Sequence, residues 1–113
     1  MRESEIQRAV IEHWRALATP GTLVAAIPNQ RAHGQYGLTP GLPDLMCLGQ
    51  FGVGFIELKT ARGKASQAQL AFRELCAQHG IRHALTYGRD EPIDVLELWG
   101  LVRKSNRRPG IGR

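Results

Sequence analysis

The chain has 113 residues, of which 15 are basic and 10 acidic, so its formal net charge is +5 at neutral pH. This length suits one domain with its own core, and no apolar run is long enough to span a bilayer, so we expect an intracellular protein that does not enter membranes. The two cysteines stand apart and outside any Cys/His cluster, which argues against a zinc site.

An amphipathic helix is predicted from residue 3 to about residue 18, where a Thr-Pro-Gly sequence ends it. Its main apolar residues share one face: Ile6, Val10, Trp14 and Leu17. Glu3 and Gln7 project close to that same face. Glu3 therefore has two interpretations, a solvated carboxylate favoured by the helix dipole or an acid directed at a cation site.

A buried strand is predicted from Leu23 to Ile27, and a long irregular connection follows it from Pro28 to Pro43. Long connections inside a compact domain are often functional. Arg31 and His33 lie in this one among other hydrogen-bond donors, a mixture suited to phosphates and bases. A surface loop without a role is the competing interpretation.

Two short apolar runs, at residues 41–48 and 54–59, predict adjacent antiparallel strands. A two-residue loop at positions 50 and 51 would set the pairing of opposite residues: Leu48 with Val53, Leu45 with Ile56, and Asp44 with Glu57. The last pair places two carboxylates side by side, where like charges destabilise a sheet.

The predicted acid pair needs a compensating charge, and strand alternation puts Lys59 on the same face as Glu57. Two acids and a lysine can hold a hard divalent cation and act on a water molecule bound to it. The competing interpretation is an ordinary salt bridge between Glu57 and Lys59, with Asp44 a turn residue. The hairpin alone does not decide between them.

A short basic connection carrying Arg62 and Lys64 leads to a second predicted helix. Ser66 is its expected N-cap, Gln69 completes a capping box three residues later, and Gly80 ends it. Because the capping box already accounts for Gln69, a further role for this residue is not required by the pattern.

Two further elements are predicted: a strand from Ile81 to Tyr87, and a last helix that begins at Pro92 and contains Val102. The order of elements predicts an α/β fold with a central mixed sheet of about four strands flanked by helices. We expect residues 1–102 to form a single domain.

Residues 103–113 form a predicted disordered, basic tail. It contains five basic residues and no acid, so it carries the whole net charge, because the other ten basic residues cancel the ten acids. Such a tail suits non-specific contact with phosphates, although a purely solubilising role explains it equally well.

The motif Pro43-Asp44, followed thirteen positions later by Glu57-x-Lys59, resembles that of the PD-(D/E)xK nuclease superfamily. More narrowly, residues 3–88 resemble the VRR-NUC (virus-type replication-repair nuclease) domain. The other matching pieces are the opening Glu3-x-x-Ile6-Gln7 and the Ser66-x-x-Gln69 that starts the next helix. The resemblance implies a restriction-endonuclease-like core.

The resemblance also implies roles for residues of the hairpin. Asp44 and Glu57 would bind Mg²⁺ or Mn²⁺ together with the backbone carbonyl of Leu58, and Lys59 would act on the attacking water or stabilise phosphate charge. Glu3 would support the metal directly or through water. Gln69 would lie near the site, in competition with its simpler role as a cap.

The function implied is that of a metal-dependent, structure-specific DNA endonuclease of phage or bacterial DNA repair and recombination, including resolution of four-way (Holliday) junctions. A cytoplasmic homodimer is implied as well. The residues expected to contact DNA are Arg31, His33, Arg62, Lys64, Arg103, Lys104, Arg107 and Arg108. The alternative is a non-catalytic module of the same fold that binds DNA or a partner, against which the intact Asp44, Glu57 and Lys59 argue.

Overall fold

The computed structural model describes residues 1–28 and 36–104. It contains three helices and four strands in the described ranges, in the order α1 (Glu3–Leu17), β1 (Leu23–Ala26), β2 (Leu45–Gly49), β3 (Gly52–Lys59), α2 (Gln67–Gln78), β4 (Arg82–Tyr87) and α3 (Asp90–Leu98). Within these ranges, no helix is long and apolar enough to cross a membrane.

The four strands form one mixed sheet in the order β1-β2-β3-β4. β2 is antiparallel to both β1 and β3, and β4 runs parallel to β3 after the crossover through α2. The predicted α/β fold with about four strands is therefore confirmed. The hairpin register is confirmed for the two predicted pairs that lie within the strands, Leu48 with Val53 and Leu45 with Ile56. Asp44 lies one residue before β2, so the predicted pair with Glu57 falls outside the paired strand residues.

Helices cover both faces of the sheet. The main core lies between one sheet face and the helices α1 and α3, and its fully buried members include Ile6, Val10, Leu45, Ile56, Leu58 and Leu96. On the opposite face, Phe55 of β3 meets Phe72 of α2 edge to face, with ring centroids 5.4 Å apart. Glu57 alternates onto this second face with Phe55, so it points towards the α2 side.

The predicted burial of β1 is wrong for most of its length. β1 is an edge strand in which only Val24 is buried, while Leu23 and Ala26 are exposed. It pairs with β2 alone, so one side of its backbone lies outside the sheet. The predicted end at Ile27 is close, because the Ile27 amide still donates to the Asp44 carbonyl at 2.8 Å.

The last helix begins and ends earlier than its sequence pattern predicts. It starts at Asp90, which places Pro92 inside the first turn, where its missing amide hydrogen costs nothing. It ends at Leu98 because Gly100 adopts a φ of 71° and the Leu101 amide donates back to the Leu96 carbonyl at 2.9 Å. Val102 therefore lies outside the helix, in a β-bridge to Ala18.

Candidate active site

The Asp44 carboxylate is fixed by the neighbouring strand. Asp44 lies directly before β2, and its Oδ2 accepts a hydrogen bond of 2.7 Å from the backbone amide of Leu58 in β3. In an antiparallel pair, the N–H and C=O of one residue face the same neighbour. The Leu58 carbonyl is therefore on the β2 side of β3, the side on which Asp44 lies.

The Glu57 carboxylate is buried, with 1% of the residue exposed. Its Oε2 accepts a hydrogen bond of 2.9 Å from Nε2 of Gln69 in α2. Its Oε1 is also buried and has no hydrogen-bond partner among the described residues. A buried acceptor without a donor is costly, so this atom marks a position that favours a proton or a cation.

Burial is the main reason why the pKa of Glu57 is raised, to about 9. Asp44 raises it further, through a hydrogen bond that requires a proton on one of the two acids and through its negative charge. Lys59 acts in the opposite direction and lowers it. The positive charge of Lys59 does not offset burial and the Asp44 charge together. In the metal-free protein, the pair therefore shares a proton at neutral pH.

Gln69 is both the predicted capping residue of α2 and a hydrogen-bond donor to the acid pair. Its Oε1 accepts from the Ser66 amide at 2.8 Å while its own amide donates to the Ser66 hydroxyl at 3.1 Å, which is a complete capping box. Its Nε2 remains free to donate to Glu57. The cap orients the Gln69 amide group, so the start of α2 and the acid pair are joined by one side chain.

The segment that precedes Asp44 is packed tightly against α2. Gly41 has a φ of 88°, and a Cβ at this position would collide with the backbone carbonyl of Ala68. Only glycine combines this conformation with such a close approach. Gly41 therefore allows the segment that leads to Pro43 and Asp44 to lie against the helix that carries Gln69.

Lys59 and Glu3 meet at the border of the site. Lys59 Nζ lies 3.9 Å from Glu3 Oε2, and the exposed fractions of the two side chains are 11% and 46%. The Glu3 charge also contributes to the raised pKa of Glu57. Glu3 is thus close to the acid pair, but it is the most solvated member and contacts Lys59.

The donor set partly fits a hard divalent cation. Two carboxylates and the carbonyl of Leu58 supply oxygen ligands of the kind that Mg²⁺ and Mn²⁺ prefer, and Glu57 Oε1 has no other partner in the part of the chain described. Among the same residues, no three acidic, histidine or cysteine side chains converge as a ready ligand set. Glu3 is accordingly better placed to act through water or Lys59 than as a direct ligand.

The residues expected to contact DNA are not all at this site. Arg62 and Lys64 are exposed in the connection that leads from β3 to α2, next to the acid pair in the chain. The Arg103 amide donates to the Leu17 carbonyl at 2.9 Å. Since α1 is about 20 Å long, Arg103 and Lys104 lie at the opposite end of α1 from Glu3. The remaining predicted contacts fall outside the described residues: Arg31, His33, Arg107 and Arg108.

A cleft beside the site was missed by the sequence analysis. It is an open groove with a volume of about 490 Å³ between α1 and the end of β1, and it is lined by Ser4, Gln7, Arg8, Ile11 and Ala26 together with Glu3 and Asp44. The signal was present in the sequence, because Ser4, Gln7, Arg8 and Ile11 follow one another at three- or four-residue intervals along one helical face. This face mixes polar and apolar residues, so a search for an apolar stripe passes over it.

Comparisons with known proteins extend these observations. No family model matches the chain, and no curated protein matches it. A solved structure described as a VRR_NUC domain protein superposes with a TM-score of 0.75 at 22% identity, covering 92% of this chain and 98% of that one. A second, described as a VRR_NUC domain, has a TM-score of 0.60 at 24% identity and covers 84% of this chain and 94% of that one. The predicted resemblance is therefore confirmed at the level of the fold, which is that of VRR_NUC domains.

Proposed function

We propose that this nuclease-fold domain is a metal-dependent, structure-specific DNA endonuclease that hydrolyses phosphodiester bonds. The observation that carries the proposal is the buried Glu57 carboxylate, which lies against Asp44 and leaves Oε1 without a partner among the described residues. An acid pair of this kind destabilises the protein unless it binds something positive. In a nuclease, such a pair would hold a metal ion, and the fold shared with VRR_NUC domains supports the same interpretation.

The residues that would hold Mg²⁺ or Mn²⁺ are Asp44, Glu57 and the carbonyl of Leu58. When bound, such an ion supplies Lewis-acid chemistry, polarising a phosphate oxygen and lowering the pKa of a bound water. The hydrogen bonds from the Leu58 amide to Asp44 and from Gln69 to Glu57 fix one oxygen of each carboxylate. They would orient the other oxygen towards a shared ligand.

Among the described residues, Lys59 is the cationic group whose charge acts on Glu57, and we assign it the task of holding the attacking water or neutralising phosphate charge. Its side chain is largely buried, so its charge is less screened than that of a surface lysine. The carboxylate of Glu3, 3.9 Å away, keeps the ammonium at the border of the site. Glu3 is therefore a positioning residue in this mechanism.

The basic residues would bind the DNA backbone. Arg62 and Lys64 are suited to phosphates close to the cleaved bond, because they follow β3 directly and are exposed. Arg103 and Lys104 would reach phosphates farther along the strand, since they lie at the other end of α1. Cleavage of four-way junctions, assembly as a homodimer and a place in phage or bacterial DNA repair remain predictions, and dimerisation is measurable by analytical ultracentrifugation.

Cleavage assays test the proposal directly. The full chain is incubated with Mg²⁺ or Mn²⁺ and labelled four-way junction, flap, splayed and linear DNA, in parallel with Asp44→Asn and the control Glu74→Gln. Asp44→Asn keeps an oxygen for the Leu58 amide, so it preserves the fold while removing a ligand charge. We expect metal-dependent cleavage that is lost in Asp44→Asn and kept in Glu74→Gln, an exposed helix position.

Two outcomes would contradict the endonuclease proposal. Binding of DNA without cleavage of any substrate would favour the non-catalytic module instead. Equal cleavage by Asp44→Asn and the unaltered chain would place the reaction elsewhere or in a contaminant.

A further inference from the structure

The cleft between α1 and β1, called here the α1 cleft, is continuous with the candidate active site. Glu3 and Asp44 line it as well as belonging to that site. Its other walls are Ser4, Gln7, Arg8 and Ile11 of α1 and Ala26 of β1. A molecule in this cleft would therefore contact Asp44, one member of the acid pair.

The size of the α1 cleft limits what can enter it. Its volume of about 490 Å³ lies within the range of pockets that hold a ligand the size of a single nucleotide. A DNA duplex is far wider than such a cleft. Only a nucleotide whose base has left its pair can place that base between α1 and β1.

The chemistry of the walls matches a nucleotide. Ile11 and Ala26 offer apolar surface for the face of a base, and Gln7 offers a side-chain amide for its hydrogen-bonding edge. In the part of the chain described, no hydrogen bond engages the Gln7 side chain, so its donors and acceptor are available. Arg8 is exposed, and its surface ion pair with Glu12 at 3.4 Å is weak enough to be exchanged for a phosphate.

We propose that the α1 cleft binds one unpaired nucleotide of the DNA strand next to the phosphodiester bond that is cleaved, with its base between Ile11 and Ala26 and its edge at Gln7. The proposal rests on the proposed nuclease function and specifies its substrate. Extruding a base from a duplex costs free energy, whereas a flap, junction or splayed end already contains unpaired nucleotides. The cleft therefore gives a physical reason for a preference for branched DNA.

Calorimetric titration tests the cleft without relying on cleavage. Thymidine 5′-monophosphate and 2-deoxyribose 5-phosphate are titrated into the full chain in the presence of Mn²⁺; in the second compound a hydroxyl group stands in place of the base. We expect the nucleotide to bind roughly tenfold more tightly, as is typical of one well-packed base. Equal affinities would overturn the proposal.

Two variants locate the effect. Ala26→Phe fills the cleft from the edge strand, and it should abolish the preference for the nucleotide while leaving Mn²⁺ affinity unchanged. Ala16→Phe is the matched control, because Ala16 is exposed on the side of α1 away from the cleft and should retain the preference. A preference that survives in Ala26→Phe would also overturn the proposal.

Gln7→Leu provides a second variant should Ala26→Phe fail to fold. It preserves helix propensity and size, and it should reduce the nucleotide preference at least threefold because the base loses its polar partner. An unchanged preference would contradict the role of Gln7. Absence of DNA cleavage by the unaltered chain would overturn the endonuclease but not this result, so the two failures are distinguishable.

Discussion

Replacing Glu57 by glutamine should stabilise the metal-free protein at alkaline pH. Glutamine has nearly the same shape and keeps an oxygen for Nε2 of Gln69, but it carries no charge. The buried acid pair then loses both its repulsion and the cost of burying a second charge. A change at the centre of the candidate site is thus expected to strengthen the fold.

The magnitude follows from the raised pKa of Glu57, from an ordinary value of 4.5 to about 9. Between these two pH values the folded protein retains a proton that the unfolded chain releases, so the stability of the wild type falls as pH rises through this window. The free energy of unfolding can fall by at most about 1.4 kcal/mol per pH unit, which amounts to roughly 5 kcal/mol at pH 8. Sharing of the proton between the two acids and local relaxation make the actual loss smaller than this limit. We expect Glu57→Gln to be more stable than the wild type by about 2–3 kcal/mol.

Denaturant unfolding at pH 8 and pH 5, in the presence of a chelator, measures the difference. At pH 8, Glu57→Gln should exceed the wild type by about 2–3 kcal/mol, equivalent to a rise in Tm on the order of 10 °C. At pH 5, close to the ordinary pKa, the difference should shrink below about 1 kcal/mol. Saturating Mn²⁺ should stabilise the wild type by about 3 kcal/mol at a hundred times its Kd and leave the variant unchanged.

The control is Glu74→Gln, an exposed position on α2 that should change stability by less than about 0.5 kcal/mol at either pH. Lower stability of Glu57→Gln at pH 8 would refute the reasoning, since it would mean that the ionised pair stabilises the fold. The same difference at pH 5 and pH 8 would refute it too, because a shape effect and not a charge would then be responsible.

Three further changes test the surroundings of the acid pair. Gly41→Ala should destabilise the protein by at least about 2 kcal/mol in urea unfolding, because φ is positive there and the added Cβ meets the Ala68 carbonyl. Gly37 also has a positive φ but open space around it, so Gly37→Ala should destabilise the protein only through the strain of its backbone conformation. Gln69→Leu should cost about 2 kcal/mol through the lost cap and the lost donor to Glu57, and an effect no larger than that of the exposed Gln67→Leu would contradict both contacts. Replacing Arg62 and Lys64 together by alanine should reduce the slope of log Kd for DNA against log salt by about 1–2, and an unchanged slope would exclude them from phosphate contact.

The hairpin was predictable because its determinants are local. Strand alternation, the bounding glycines and a two-residue loop set the register, and the observed pairs Leu45–Ile56 and Leu48–Val53 follow from them. The edge position of β1 was not predictable in this way. It depends on which strand pairs with which, a long-range property that the composition of Leu23–Ala26 does not contain.

The start of α3 illustrates a different limit. Proline is favoured at the first helical position but tolerated throughout the first turn, so Pro92 alone leaves the start uncertain by two residues. The acids that precede it were the better signal. Asp90 and Glu91 stand in the first turn, and Glu91 also accepts a hydrogen bond of 2.9 Å from the Tyr87 amide, which joins the helix to β4.

The acid pair unites the local and the long-range parts of the fold. Asp44 is oriented by a backbone amide of β3, whereas Glu57 is oriented by a side chain of α2 that is itself held by a helix cap. Each carboxylate thus has one oxygen held by a donor from a different element, and Oε1 of Glu57 is buried without a donor among the described residues. Because the two orientations are fixed independently, binding a cation requires little reorganisation of the site. The buried acid pair lowers the stability of the metal-free fold, but it also provides a preformed set of oxygen atoms for a ligand.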